Sequence, residues 1–443
     1  MDQNLLNDVI GAALKAGADA AEAVFAERQS LSVTVRMGDL EEVEREEAQD
    51  LGVRVFVGQR QAVVSGSDLS TDGRRKLIER AIAMARLAPE DPYAGFAPQD
   101  RLARGPHADL DLFDAYEPSA ESLEDQARVA EAAARAVEGV TNSDGGSAAW
   151  SSSNWLMATS HGFIGAHRAT GFSLSASAIA GEGAGMERGG EGRSLRHAED
   201  LPSPDAIGTE AGRRAAGRLG ARKISSTTAP VIFENRLATS LLGPLLGAIS
   251  GPAVARGVSF LKDKLGQQIF AKGIELIDDP HVVRGLGSSP FDDEGVLNKR
   301  MALIEDGVLT TWLLNSAAAR QLGLETTGHA SRGLAGPPGV STSNLTLKPG
   351  TDDLAALMKG AGEGLLVTSM FGPSLNGNTG DWSVGCSGMW FENGEAAYPV
   401  TEITVAGNLI DIYARLIPGS DLEIRGSANS PSILVDGLAI AGK

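Results

Sequence analysis

TAPVIFENRLATSLLGPLLGAISG, residues 228–251, decides how this chain is read. The apolar run 231–233 predicts a short buried strand, and from Asn235 onward apolar residues recur at the spacing of a helix. By itself such a strand and helix form a packing unit without chemistry. What matters is what the helix lacks: residues 235–248 include no histidine, cysteine, aspartate or glutamate.

The segments that follow give this absence a meaning. They are FLKDKLGQQIF (260–270), SPFDDEGVLNKRMALIEDGVLTTWLLN (289–315) and FGPSLNGNTGDWSVGCSGMWFENGEAAYPVTEITVAGNL (371–409). With 228–251 they resemble the C-terminal half of the TldD/PmbA family. That resemblance implies two branches, one a zinc peptidase and the other, PmbA or TldE, its partner subunit.

In the active branch the helix carries a His-Glu-x-x-x-His pattern, with the histidines as zinc ligands and the glutamate as general base. Laid on this sequence, the pattern puts the ligand positions at Gly243 and Ala248 and the base position at Pro244. None of these side chains can hold a metal or move a proton. The active branch also uses a cysteine near its C-terminus, and the corresponding stretch 421–437 has none. The resemblance therefore implies a PmbA/TldE-type subunit with no cofactor of its own. Its partner would be a TldD-like metallopeptidase subunit that holds the zinc, in a heterodimer acting on unfolded or small peptides.

The residues can be read without the family. Catalytic zinc needs about three protein ligands and a water, yet the histidines (His107, His161, His167, His197, His281 and His329) form no His-Glu-x-x-His motif. His161 and His167, six apart in an expected strand, would lie roughly 20 Å apart and could not share an ion. Cys386, the only cysteine, reads as a small strand residue and excludes a disulfide framework. No apolar run reaches the ~20 residues of a membrane span, and the N-terminus lacks a signal-peptide pattern. These features predict a cytoplasmic protein. A net charge of −18 argues against nucleic acid, which needs basic patches.

The expected fold class is α+β, with N-terminal helix/antiparallel-sheet domains followed by a C-terminal domain rich in antiparallel strands. Three units are expected, at 1–110, 111–224 and 225–443. The first combines a helix closed by Gly17, a meander with strands around 31–35 and 53–57, and a second helix from Thr71 or Asp72. The acidic run 41–50 reads as the solvated face of an edge strand. Pro89, Pro92, Pro98 and Pro106 mark a linker. In the central unit a helix over 119–137 precedes a turn at 141–146, then strands near 148–155, 162–167 and 171–180. The glycine-rich run 181–192 lacks a phosphate-loop ending and reads as a hairpin tip. A helix over 205–218 leads into the last unit, where Asp306-Gly307 and Asn393-Gly394 predict hairpin turns and Thr351 a helix cap.

Two further groups invite a functional reading. His329, Ser331 and Arg332 lie close together in the glycine-containing loop 327–333, which makes Arg332 and His329 candidates for contacting substrate. Asp292, Asp293, Glu294 and Gly295 form a turn whose carboxylates should accept backbone N–H groups rather than bind a metal. Two other functions stay open. One is an autonomous hydrolase of a non-zinc mechanism, although no G-x-S-x-G elbow occurs. The other is a regulatory binding protein with no peptidase role.

Overall fold

The computed structural model describes residues 3–443. Its first half is built on one six-stranded antiparallel sheet. Helix α1 (Gln3–Lys15) leads into β1 (Ala20–Arg36), β2 (Asp39–Val57) and β3 (Arg60–Gly66), followed by α2 (Thr71–Leu87). Helix α3 (Ala120–Arg135) then opens a run of β4 (Val140–Thr159), β5 (Ile164–Ala180), β6 (Glu187–Leu195) and α4 (Pro204–Ala216). The strand order is β3-β2-β1-β4-β5-β6. The sheet thus runs without a break through the two stretches expected as separate units, because Glu22–Val35 of β1 pairs with Gly146–Thr159 of β4.

Side-chain alternation on β1 shows how this sheet is covered. Ala21 and Ala23 pack with α1 and α2, while Leu31, Val33 and Val35 pack with α3 and α4. All five share one face, as the period of two requires. Glu22, Val24 and Ala26 point the other way, toward the C-terminal half, where Val24 and Ala26 join Phe163, Phe291, Val296 and Leu334 in an apolar cluster. Burial on both faces explains why the inner ends of β1 and β2 show no polar alternation.

The ends of the helices follow local chemistry. Ser70, Ser119 and Ser203 each cap a helix by accepting a bond from a first-turn N–H. Helices α3 and α4 pack closely because position 208 is glycine; a methyl group there would collide with the Ala130 carbonyl.

The C-terminal half begins with β7 (Thr227–Phe233), α5 (Asn235–Ala248) and α6 (Gly251–Ala255). Short strands follow as β8 (Leu276–Asp278), β9 (Met301–Glu305) and β10 (Val308–Leu309), then α7 (Ser316–Leu322). The pair β11 (Ala330–Ser331) and β12 (Gly339–Val340) precedes β13 (Leu345–Leu347) and α8 (Leu354–Ala361). The long strands β14 (Gly364–Leu375), β15 (Asp381–Glu392) and β16 (Glu395–Asn408) come next, then α9 (Leu409–Arg415), β17 (Ile417–Pro418), β18 (Ala428–Asn429) and β19 (Ile433–Ala441). The main sheet has the order β16-β15-β14-β7-β19-β17, and β16 also pairs with β19, so five of its strands close on themselves. Pairing is antiparallel except between β14 and β7 and between β13 and β18. The α+β class holds, and among the described residues no helix is long and apolar enough to cross a membrane.

Several local expectations differ from the structure. Residues 141–146 lie within β4, where two register shifts absorb their irregularity. The strands expected at 162–167 and 171–180 are one strand, β5, and His161 sits in the turn before it, its Nε2 3.0 Å from the Ala97 carbonyl oxygen. Half of the glycine-rich run is strand: Gly189 lies in β6, where a side chain would strike the backbone of α4. Helix α8 is capped by Asp353 rather than Thr351. The acidic run does form an open edge, since β3 pairs only with residues 51–57 of β2. The proline-marked linker is pinned to the C-terminal half, with Ala103 N–H donating to Gly295 O and Arg320 donating to the carbonyls of Tyr93, Gly95 and Phe96.

Candidate functional site

Helix α5 is held at its start and at its middle. At its start the Asn235 N–H donates to Ser432 Oγ at 3.0 Å, and Ser432 Oγ donates to Asp421 Oδ2 at 2.7 Å. The Asn235 side-chain amide donates to the Asp421 carbonyl at 2.9 Å. Further along, the buried Tyr413 hydroxyl donates to the Leu241 carbonyl at 2.9 Å. Ala238, Leu241, Leu242 and Leu245 face the core, so Ser240, Gly243 and Gly247 are turned outward.

That outward side forms one wall of a cavity of about 650 Å³. Gly243, Pro244 and Ala248, the three positions singled out from the sequence, all line it. Opposite them stand Phe260, Met370, Leu375 and Trp382. No lining residue carries a charge, an imidazole or a thiol. A side chain at Gly243 would meet nothing within 4 Å, so the space opposite the helix is open. The aromatic and methionine side of the cavity was not anticipated from the sequence. Met370, Leu375 and Trp382 come from strands more than a hundred positions away from α5, and Phe260 from the loop after α6, with no motif to join them.

Zinc does not fit this donor set. The wall offers no imidazole, thiolate or carboxylate ligand, and among the described residues no three His, Cys, Asp or Glu side chains converge as a metal would require.

The cavity borders a strand edge. On β14 only Leu365–Val367 pairs with β7, so among the described residues no strand pairs with it beyond Val367 on that side; the Thr368 carbonyl accepts from Arg236 instead, and Phe371 and Leu375 are exposed. Such an edge offers backbone groups to an extended peptide.

Arg332 and His329 occupy a different place from the cavity. The Arg332 guanidinium is fully buried in an ion pair with Glu22 of β1, and burial pulls its pKa down to about 10. Glu22 is also 4.0 Å from Arg54, its cross-strand neighbour in β2. His329 is buried too, with Nε2 3.2 Å from Asp278 Oδ2 and Nδ1 2.8 Å from Thr327 Oγ1. In this conformation neither side chain reaches solvent, so neither is placed to contact a substrate.

The neighbouring acids hold backbone. Asp292 accepts from the N–H groups of Glu294, Val296 and Ala330, Asp293 from that of Arg332, and Glu294 from that of Ser316. Burial raises the Asp292 pKa well above the usual carboxylate range, and the Glu294 charge raises it further. These bonds are those expected of a structural turn.

Comparison with known proteins agrees with this architecture. Residues 226–442 match the PmbA/TldA metallopeptidase C-terminal domain, residues 21–85 its domain 1 and residues 113–219 its central domain. The chain is 38% identical to the metalloprotease PmbA of Escherichia coli O157:H7, covering 100% of this chain and 97% of that protein. It is 36% identical to a PmbA homolog of Haemophilus influenzae, over 97% of this chain and 94% of the relative. Among solved structures it resembles a putative modulator of DNA gyrase from Bacteroides thetaiotaomicron, with 28% identity, a TM-score of 0.92 and coverage of 100% and 99%. TldE from Thermococcus kodakarensis has the same fold, at 20% identity, a TM-score of 0.86 and coverage of 98% and 99%. The chain belongs to the PmbA/TldD metallopeptidase family, in its PmbA (TldE) branch.

Proposed function

We propose that this chain is the zinc-free subunit of a two-subunit peptidase, paired with a TldD-like chain that holds the catalytic zinc. The observation that carries this reading is the apolar wall at Gly243, Pro244 and Ala248, where a zinc site would need two ligands and a base. A fold kept in full without its chemistry suits a role in assembly and in guiding substrate. The substrates are unfolded or small peptides. The open β14 edge beside an apolar cavity supports this class, since an extended chain could add to the edge and place one apolar side chain in the cavity.

The complex is cytoplasmic and heterodimeric in this reading, and the chain is organised as units 1–110, 111–224 and 225–443. Direct contact with DNA is no part of it, because a chain with net charge −18 repels phosphate. The test is metal analysis and a peptide-cleavage assay on the isolated chain, repeated after a TldD-like chain is added. The expected result is no stoichiometric zinc and no cleavage alone, and cleavage by the pair. Chelator-sensitive cleavage by the isolated chain would overturn the proposal.

A further inference from the structure

Three residues that weaken a helix, Gly243, Pro244 and Gly247, lie on the cavity side of α5. Packing does not call for the glycines, since a side chain at either would meet nothing within 4 Å. Pro244 has a definite chemical effect. In a regular helix the N–H of residue 244 would donate to the Ser240 carbonyl, and proline has no N–H to give. The helix nevertheless continues to Ala248, and among the described residues no backbone N–H outside it donates to Ser240 O. Ser240 and Pro244 both line the cavity of about 650 Å³, so its wall carries a backbone acceptor that has lost its helical donor.

The opposite side is aromatic and fixed in place. Trp382 is buried, and its ring meets Phe233 edge-on with centroids 6.1 Å apart. Phe260 donates its N–H to the Gly377 carbonyl at 3.0 Å, and its ring lies against Gly380, where a Cβ would come within 3.3 Å of it. Met370 Sδ accepts from Ser240 Oγ at 3.3 Å, which sets the sulfur next to Ser240. Aromatic edges and a thioether favour a guest ring over an aliphatic chain. With no charged group in the lining, a charged guest would lose its water without compensation. A guest that fills the cavity also strips water from the Ser240 carbonyl, so one without a donor leaves that acceptor unpaired.

We propose that this cavity selects a tryptophan side chain carried on an extended peptide. The indole N–H donates to the Ser240 carbonyl, and the ring lies against Phe260 and Trp382 beside Met370. Indole is a donor only, whereas a phenol would bring acceptor lone pairs to a lining whose one hydroxyl already donates to Met370. Phenylalanine satisfies the walls but not the carbonyl. Pro244 is then a specificity-determining residue: where the active branch carries its base, this chain carries a residue whose missing N–H frees an acceptor. The peptide as carrier rests on the peptide-handling reading above, whereas binding requires neither zinc nor a partner subunit.

Calorimetry on the isolated full-length chain tests the site, so its result is separate from the metal and cleavage assays that test the complex. The probes are acetylated and amidated tripeptides Ala-X-Ala, with X tryptophan, 1-methyltryptophan, phenylalanine or leucine. The tryptophan peptide should bind at one site per chain, about tenfold more tightly than the phenylalanine peptide, through the added hydrogen bond. Leucine should bind more weakly than phenylalanine, and methylation of the indole nitrogen should remove the advantage of tryptophan. Pro244→Ala restores a helical donor to the Ser240 carbonyl. It should bring the tryptophan peptide down to the phenylalanine level and leave the phenylalanine peptide unchanged, which also shows that the cavity is intact. Gly243→Leu should fill the open space and block all four peptides. Thermal unfolding of each variant checks that the fold is retained. No binding of the tryptophan peptide, equal affinity for tryptophan and 1-methyltryptophan, a tryptophan preference that survives Pro244→Ala, or unchanged binding by Gly243→Leu would each overturn the proposal.

Discussion

Glu22 of β1 and Arg332 of the loop after β11 form an ion pair with side chains only 2% and 0% exposed. It joins the first sheet to the C-terminal half in the layer where Leu334 packs against Val24 and Ala26. Removing one member of a buried pair leaves an uncompensated charge, whereas replacing both with neutral groups of similar volume does not. Arg332→Ala should therefore lower stability by about 3 kcal/mol. The pair Glu22→Gln with Arg332→Met should recover part of it, because Arg54, equally buried and 4.0 Å from Glu22, then loses its carboxylate. Urea unfolding of the parent, Glu22→Gln, Arg332→Met and the double variant measures the coupling; additive effects would place Arg332 outside such a pair.

Asp293 supplies a pH signature. Burial raises its pKa to about 6, partly opposed by the Arg332 N–H bond and reinforced by the Glu294 charge. Because the folded value lies above the unfolded one, the folded state holds this proton more tightly. The resulting stability is complete below about pH 4 and is lost as pH rises through 6. Asp293→Asn keeps an acceptor for Arg332 and cannot ionise. Its stability relative to the parent should rise by about 2 kcal/mol between pH 4 and 6 and stay level above. A difference that does not change with pH in urea titrations would show that Asp293 ionises freely.

Gly208→Ala tests the close packing of α3 and α4. The added methyl group would collide with the Ala130 carbonyl, so the helices must separate, at a cost of about 2 kcal/mol. A thermal midpoint unchanged from the parent would mean that the helices already have slack.

Cys386 on β15 is fully buried, and burial pushes its thiol up to about 12. Thiolate is the reactive form. A thiol reagent should therefore leave the folded chain unlabelled for as long as it stays folded and label one site per chain after denaturation. Rapid labelling under native conditions would contradict this burial.

Helix starts near 71, 119 and 205 were legible to within about a residue because the amphipathic run marks them; the capping roles of Ser70, Ser119 and Ser203 are what the structure adds. The hairpin at Asn393-Gly394 was legible because its turn chemistry is local. Strand lengths were not, since β4 runs through Asn142 and Gly145 by bulging, and bulges depend on the partner strand. The absence of donors at Gly243, Pro244 and Ala248 could be read residue by residue. The cavity they line could not, because Met370 and Trp382 reach it only through sheet pairing and Phe260 through its N–H bond to the Gly377 carbonyl. Arg332 was read as a substrate contact because a glycine-flanked arginine looks accessible. Nothing in its neighbourhood named Glu22, more than three hundred positions upstream.

The pairing of β1 with β4 makes chain continuity dispensable where it looks most needed. Residues 104–109 are exposed and carry the only covalent path from the first three strands to the next three. If a protease cut there, the two pieces would remain zipped by backbone bonds along Glu22–Val35 and tethered by the Ala103 bond to Gly295. The nicked molecule should migrate as one species in a native gel and come apart only in denaturant, so a cleavage visible on a denaturing gel would give no sign that the folded particle had changed.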